Sequence, residues 1–176
     1  EHCRITGGDT EAMIDAAYTA WRTDMLAGAA TVLIADSNES VHALNQRARA
    51  DLILDGTVNA LREVALHDDT RAGAGDVIIT RKNDRRLGAG RGWVRNGDRW
   101  TVTGVQDDGS LTVRRHGSRG TTILPTTYIS EHVDLGYAVT AHRAQGITAD
   151  TSHVLTDRST TRENLYVAMT RGRHAN

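Results

Sequence analysis

Apolar positions recur along this chain in two different rhythms. From residue 10 to 27 the rhythm is helical. Met13, Ala17, Trp21 and Met25 recur every four residues, with Ile14 and Tyr18 beside them. Asp9 or Thr10 can cap the start, and Gly28 is a natural stop. Thr31-Val32-Leu33-Ile34-Ala35 is short, continuously apolar and β-branched, which predicts a buried strand of a parallel sheet. Asp36-Ser37-Asn38 then offers cap residues for a second helix. Its apolar face is Val41, Leu44, Ala48 and Leu52, and Gly56 ends it. Helix, strand, helix is the rhythm of an α/β domain.

From about residue 64 to 130 the period drops to two. Short strands are predicted at 64–66, 77–80, 100–103, 111–113 and 121–124. Turn residues separate them: Asn83-Asp84, Asn96-Gly97 and Asp107-Asp108-Gly109. Five short strands in such a span predict a small β-barrel. The α/β rhythm then resumes with strands at 137–140 and 152–155. A helix follows over 161–169, with Thr160 as N-cap and Glu163 completing a capping box. The expected fold is therefore α/β: a parallel-sheet domain of residues 1–63 and 132–176, interrupted by a barrel over 64–131.

Charge sharpens this division. The formal net charge is −1, but residues 71–120 carry eleven Lys and Arg against five Asp. The barrel is thus the basic part, which points to a polyanion partner or to a solvated basic surface. Its densest run is Arg81, Lys82, Arg85, Arg86, Arg91 and Arg95. Trp93 and Trp100 lie in and beside that run. Either can stack on bases or fill the barrel; Trp100 is the better core residue. The single cysteine, Cys3, excludes a disulfide framework and a cysteine-rich zinc site, and suits a reducing, cytoplasmic setting. The eight histidines show no ligand spacing, so no metal site is expected. No run of 18 apolar residues occurs. The start, Glu1-His2-Cys3-Arg4, has no initiator Met and no apolar leader, and reads as the edge of a piece of a longer protein.

No G-x-x-x-x-G-K-[ST] loop is present, so nothing here cradles phosphates with a lysine. Two C-terminal segments carry chemistry instead. Thr140-Ala141-His142-Arg143-Ala144-Gln145-Gly146 puts hydrogen-bonding side chains at the carboxyl end of a strand, where open α/β sheets bind ligands. Leu165-Tyr166-Val167-Ala168-Met169-Thr170-Arg171-Gly172-Arg173 puts arginines just past a short helix, where one can reach a transferring phosphoryl group.

In their order and spacing these segments resemble motifs V and VI of superfamily 1 DNA helicases, in the RecD-like form. Together with Val32–Leu52 and the segments 75–81 and 93–98, they resemble the helicase region of conjugative relaxase-helicases of the TraA/TraI/TrwC kind. The resemblance covers roughly residues 30–176. It implies a RecA-like domain of the P-loop NTPase superfamily, without the P-loop, interrupted by an SH3-like barrel. It implies a partner as well: the P-loop-bearing first RecA-like domain of the same protein, with ATP and Mg²⁺ between the two. In that frame Arg171 is the arginine finger, the catalytic residue. Gln145, Gly146, Arg171 and Arg173 face the nucleotide. Thr140, His142 and Arg143 contact single-stranded DNA, with Arg81, Arg85, Arg86 and Trp93 on the barrel as further DNA contacts. Arg143 stands where many relatives have Lys, and Thr148 where many have a ribose-contacting Glu. This piece is not expected to hydrolyse ATP alone. The alternative reading is a non-motor helicase-like module that binds DNA or protein; a RecD-like exonuclease subunit is a third.

Overall fold

A computed structural model describes residues 10–89, 92–116, 118–145, 147, 149–156 and 160–175. The chain opens with α1 (Thr10–Leu26), β1 (Thr31–Ala35) and α2 (Asn38–Leu54). Eight strands follow: β2 (Asn59–Ala65), β3 (Arg71–Ala74), β4 (Val77–Thr80), β5 (Asp84–Ala89), β6 (Gly92–Val94), β7 (Arg99–Val105), β8 (Leu111–Arg115) and β9 (Thr121–Leu124). The last elements are α3 (Thr126–His132), β10 (Val133–Leu135), β11 (Ala138–Thr140), β12 (Ala149–Leu155), α4 (Arg162–Met169) and β13 (Gly172–Ala175). Two compact units result, Glu1–Leu44 with Ala138–Asn176, and Asn45–Tyr137. The second takes in the later half of α2 as well as the barrel strands. Among the described residues no helix is long and apolar enough to cross a membrane.

The first unit is a four-stranded sheet in the order β11-β1-β12-β13, every pair parallel. All five residues of β1 are buried, as its unbroken apolar run requires of a central strand. Tyr18 and Trp21 are the buried residues of α1, while Met13 and Met25 are half-buried. Ser37 caps α2: its Oγ accepts the Ser40 amide at 3.0 Å, and its carbonyl accepts the Val41 amide.

One expected cap is corrected. α4 starts at Arg162, one residue later than a cap at Thr160 implies. The Thr160 hydroxyl donates to the Asp36 carboxylate, 124 positions away in sequence. A long-range acceptor at the end of β1 thus engages the hydroxyl that local spacing assigned to the helix start.

The second unit is built on an antiparallel sheet in the order β10-β4-β7-β8-β9, with hairpins β2-β3 and β5-β6. Its core is Ile78, Trp100, Val102, Leu111, Val113, Leu124 and Ile129. The turn between β3 and β4 requires Gly75. Its φ is +98°, and a Cβ there would meet the Thr57 carbonyl oxygen at 2.2 Å. Charge is stitched through this unit. Asp76 is fully buried and accepts from the Gly73 amide at 2.8 Å, Arg49 Nε at 3.0 Å and the Tyr137 hydroxyl at 2.6 Å. Burial and the neighbouring Asp76 carboxylate hold the Tyr137 phenol well above its ordinary pKa. Arg49 also pairs with Glu63.

Candidate functional site

The carboxyl ends of three strands of the parallel sheet lie level. Ala35 of β1 pairs with Thr140 of β11 on one side and with Leu155 of β12 on the other. Thr140 ends its strand and turns the chain at once. Its carbonyl accepts the Ala144 amide at 2.9 Å, and its Oγ1 accepts the Arg143 amide at 3.3 Å. A single helical turn follows, in which the Gln145 amide donates to the His142 carbonyl. Ala141, Ala144 and Ile147 are buried, one every third residue. That spacing seats the turn and leaves His142 and Gln145, also three apart, exposed on one face. Arg143 is half-buried. Gly146, assigned to the nucleotide, lies outside the described residues.

Arg171 sits at the other end of the sheet. The amino end of β13 pairs with the amino end of β12, Gly172 opposite Ala149, and the Arg171 carbonyl accepts the Ala149 amide at 3.2 Å. Its guanidinium donates to the Thr170 hydroxyl at 2.8 Å. β12 runs from Ala149 up to Leu155, about 20 Å at about 3.3 Å per residue. The Thr140 turn and Arg171 thus mark opposite edges of one sheet, joined by the segment that carries Gln145. Arg173 lies within β13, and its side chain is outside the described part.

The barrel divides its arginines into two kinds. Arg81 is engaged internally: Nε lies 3.4 Å from Asp134, and a terminal nitrogen 2.6 Å from His67 Nδ1. Arg86 folds back onto Asp84 in a two-pronged pair at 3.2 and 3.1 Å, which lowers the Asp84 pKa. Arg85 behaves otherwise. Asp84 pairs with Val94 and Gly88 with Trp93, so residues 85–87 bow out of the ladder as a bulge. The bulge carries the Arg85 guanidinium to 5.5 Å from the Trp93 ring centroid, and Arg95 reaches the same ring at 5.1 Å. Trp93 is half-buried. Trp100 is core, with Arg115 over its ring at 4.8 Å. Arg115 in turn pairs with Asp98.

Two groupings take their geometry only from the fold. The Asp36–Thr160 pair at the carboxyl edge depends on two strands meeting in space. The joining of Arg85, Trp93 and Arg95 depends on a hairpin whose bulge breaks the period of two. The Asn96-Gly97 turn stands where the sequence puts it, between β6 and β7.

Residues 64–134 match the Rv2311 SH3-like barrel domain family. The chain is 40% identical over 109 residues to the uncharacterized protein Rv2311 of Mycobacterium tuberculosis, covering 60% of each. It is 34% identical over 160 residues to the probable conjugal transfer protein TraA of Sinorhizobium fredii, covering 87% of this chain and 14% of TraA. It superposes on a Pif1 helicase from Bacteroides, crystallised with ADP-AlF3 and ssDNA, with a TM-score of 0.59 at 19% identity. That match covers 81% of this chain and 38% of the helicase. The chain therefore spans 60% of Rv2311 and far less of TraA and of the helicase. Its fold is a helicase-like α/β fold with an SH3-like insert.

Proposed function

We propose that this chain, a homologue of the conjugal transfer proteins TraA with the fold of the Pif1 helicases, is the second RecA-like domain of an ATP-dependent DNA helicase of the conjugative relaxase kind. On this reading the RecA-like part comprises residues 1–63 and 132–176, and the SH3-like insert residues 64–131. The observation that carries the reading is the placing of the two motifs on one rigid sheet. The Thr140 turn presents His142 and Gln145 at the carboxyl edge, and Arg171 is fastened by its backbone at the amino edge. A single strand tracked by the first and a phosphate met by the second are then mechanically coupled through β12 and the segment from 141 to 148.

The residues present fit only part of a nucleotide site. The sequence has no P-loop lysine, and among the described residues no group of three His, Cys, Asp or Glu is placed to hold a metal ion. ATP and Mg²⁺ would be held by the first RecA-like domain. This chain would add the Arg171 guanidinium, with Gln145, Gly146 and Arg173 beside the nucleotide. Arginine stabilises the charge on a transferring phosphoryl group without itself exchanging a proton.

The test uses the full-length protein. Arg171→Ala is expected to lower DNA-stimulated ATP hydrolysis by about 10³-fold or more while single-strand affinity stays within about twofold. His142→Ala is expected to do the reverse, weakening single-strand binding first. Wild-type hydrolysis in Arg171→Ala would remove Arg171 as the finger, and absence of DNA-stimulated hydrolysis in the unsubstituted full-length protein would leave the non-motor module.

A further inference from the structure

We infer that Asp36 is a positioning residue for Arg171: it holds the approach to α4, and through that helix fixes where the arginine stands. What Arg171 does rests on the motor reading above; what Asp36 holds rests on the fold alone.

β12, α4 and β13 form one crossover. β12 and β13 are parallel, so α4 brings the chain back from the carboxyl edge of the sheet to its amino edge. The eight residues of α4 span about 12 Å, at about 1.5 Å per residue. At the amino edge the Arg171 carbonyl accepts the Ala149 amide at 3.2 Å. At the carboxyl edge the Thr160 hydroxyl donates to the Asp36 carboxylate. Asp36 directly follows β1, whose last residue lies level with Leu155, the last residue of β12. The described side chains of α4, those of Arg162, Glu163, Leu165 and Tyr166, are exposed and do not anchor the helix. Two consecutive residues after β1 thus serve two helices: Ser37 caps α2, and Asp36 holds the approach to α4.

Charge points the same way. Ala35 pairs with Thr140, so Asp36 stands next to the Thr140 turn. An acid there repels phosphates and is a poor contact for a nucleic acid. A hydroxyl donor suits it, because a hydrogen bond to a half-buried carboxylate is directional and about twice as strong as a neutral one. An arginine that meets a transferring phosphoryl group has to be placed closely. A misplacement of about 1 Å, caused far from the chemistry, costs about 10²-fold in rate. One hydrogen bond at the far end of α4 can therefore govern turnover without touching ATP or DNA.

The test uses the full-length protein and reads the hold and its consequence separately. Amide hydrogen exchange reads the hold. The Leu165 amide donates to the Thr161 carbonyl in the first turn of α4. In Asp36→Ala and in Thr160→Val it is expected to exchange about tenfold faster or more, while the Val102 amide of the barrel keeps its rate. Hydrolysis reads the consequence. Either substitution is expected to lower DNA-stimulated kcat about 10- to 100-fold, with KM for ATP and single-strand affinity within about twofold. The double variant is expected to match the worse single variant, since both remove one bond. Asp36→Asn keeps an acceptor oxygen and is expected to stay within about threefold of the unsubstituted protein in both readouts. Should Asp36→Ala unfold, Thr160→Val and Asp36→Asn still decide. Unchanged exchange at Leu165 in Asp36→Ala overturns the inference. So does an unchanged kcat, or a single-strand affinity that falls in step with kcat. An unsubstituted protein without DNA-stimulated hydrolysis would sink the motor reading instead, and exchange at Leu165 would still decide what Asp36 holds.

Discussion

In the barrel unit arginines pair repeatedly with carboxylates; in the parallel-sheet unit His153, in the middle of β12, pairs with Asp24 of α1, and other named polar groups stand at strand ends. β1 is buried at all five positions, and Asp36, Thr140 and Asp150 all lie where strands begin or finish. The barrel strands alternate, and each polar face meets another: Arg49 with Asp76 and Glu63, Arg115 with Asp98, Arg81 with Asp134. The contrast bears on function. In the sheet unit, exposed polar groups at an edge stay available to a ligand. In the barrel, Arg71, Arg81, Arg86 and Arg115 are paired with carboxylates, so the net charge of residues 71–120 overstates what a partner meets. What remains available is set by which arginines lack an acid, Arg85 and Arg95 among them.

The largest expected effect falls on the barrel. Asp76→Ala removes the acceptor of three buried or half-buried donors at once: the Gly73 amide, Arg49 and the Tyr137 hydroxyl. Leaving one side of a buried pair uncompensated costs about 3–5 kcal/mol. Urea unfolding followed by circular dichroism should show that loss. A cost below about 1 kcal/mol would mean that the barrel is not held by its internal charges.

The matching change in the sheet unit is apolar. Leu33 is fully buried in the central strand. Leu33→Ala is expected to cost about 3 kcal/mol, the removed methyl groups plus the cavity left behind. The same unfolding experiment reads it. If polar changes at the strand ends of this unit cost as much as Leu33→Ala, the two units are not held differently.

That difference also explains how far the sequence could be read. Burial with a clean period is legible: the β1 run, the α2 face of Leu44, Ala48 and Leu52, and Trp100 in the barrel core all stand where periodicity puts them. The Thr140, His142 and Gln145 pattern is legible too, because one helical turn fixes its geometry locally. Strands β3, β5, β6, β10 and β13 and helix α3 are not. They are three to seven residues long, and β5 is bulged over its arginines, so no period has room to show. Partners distant in sequence are least legible. Nothing near Thr160 announces Asp36, and nothing near Arg81 announces Asp134. A run of arginines reads as one patch until the fold assigns acids to some of them.

Smaller effects follow at the edges. Asp150 Oδ2 accepts the Ala30 amide at 2.9 Å, fastening the entry to β1 against the start of β12. Asp150→Ala is expected to cost about 1 kcal/mol, one charge-assisted hydrogen bond in a half-buried site. A thermal melt would resolve it as a shift of a few degrees, and a shift as large as that of Leu33→Ala would overturn the ordering.

The smallest effect is the most discriminating. Arg86 is 91% exposed, and its two-pronged pair with Asp84 is local, two residues apart. An exposed pair of this kind contributes little, because water screens the charges and holding the side chain costs entropy. Arg86→Ala should therefore move the urea midpoint hardly at all. The same substitution removes one positive charge beside Arg85. Asp84→Ala does the opposite: it frees Arg86 and raises the local positive charge by one. If pairing decides availability, Asp84→Ala should tighten single-strand binding and steepen its salt dependence by about 0.7, one additional phosphate contact, with the urea midpoint hardly moved. An unchanged slope in Asp84→Ala would show that position on the bulge, rather than freedom from an acid, separates Arg85 from its neighbour.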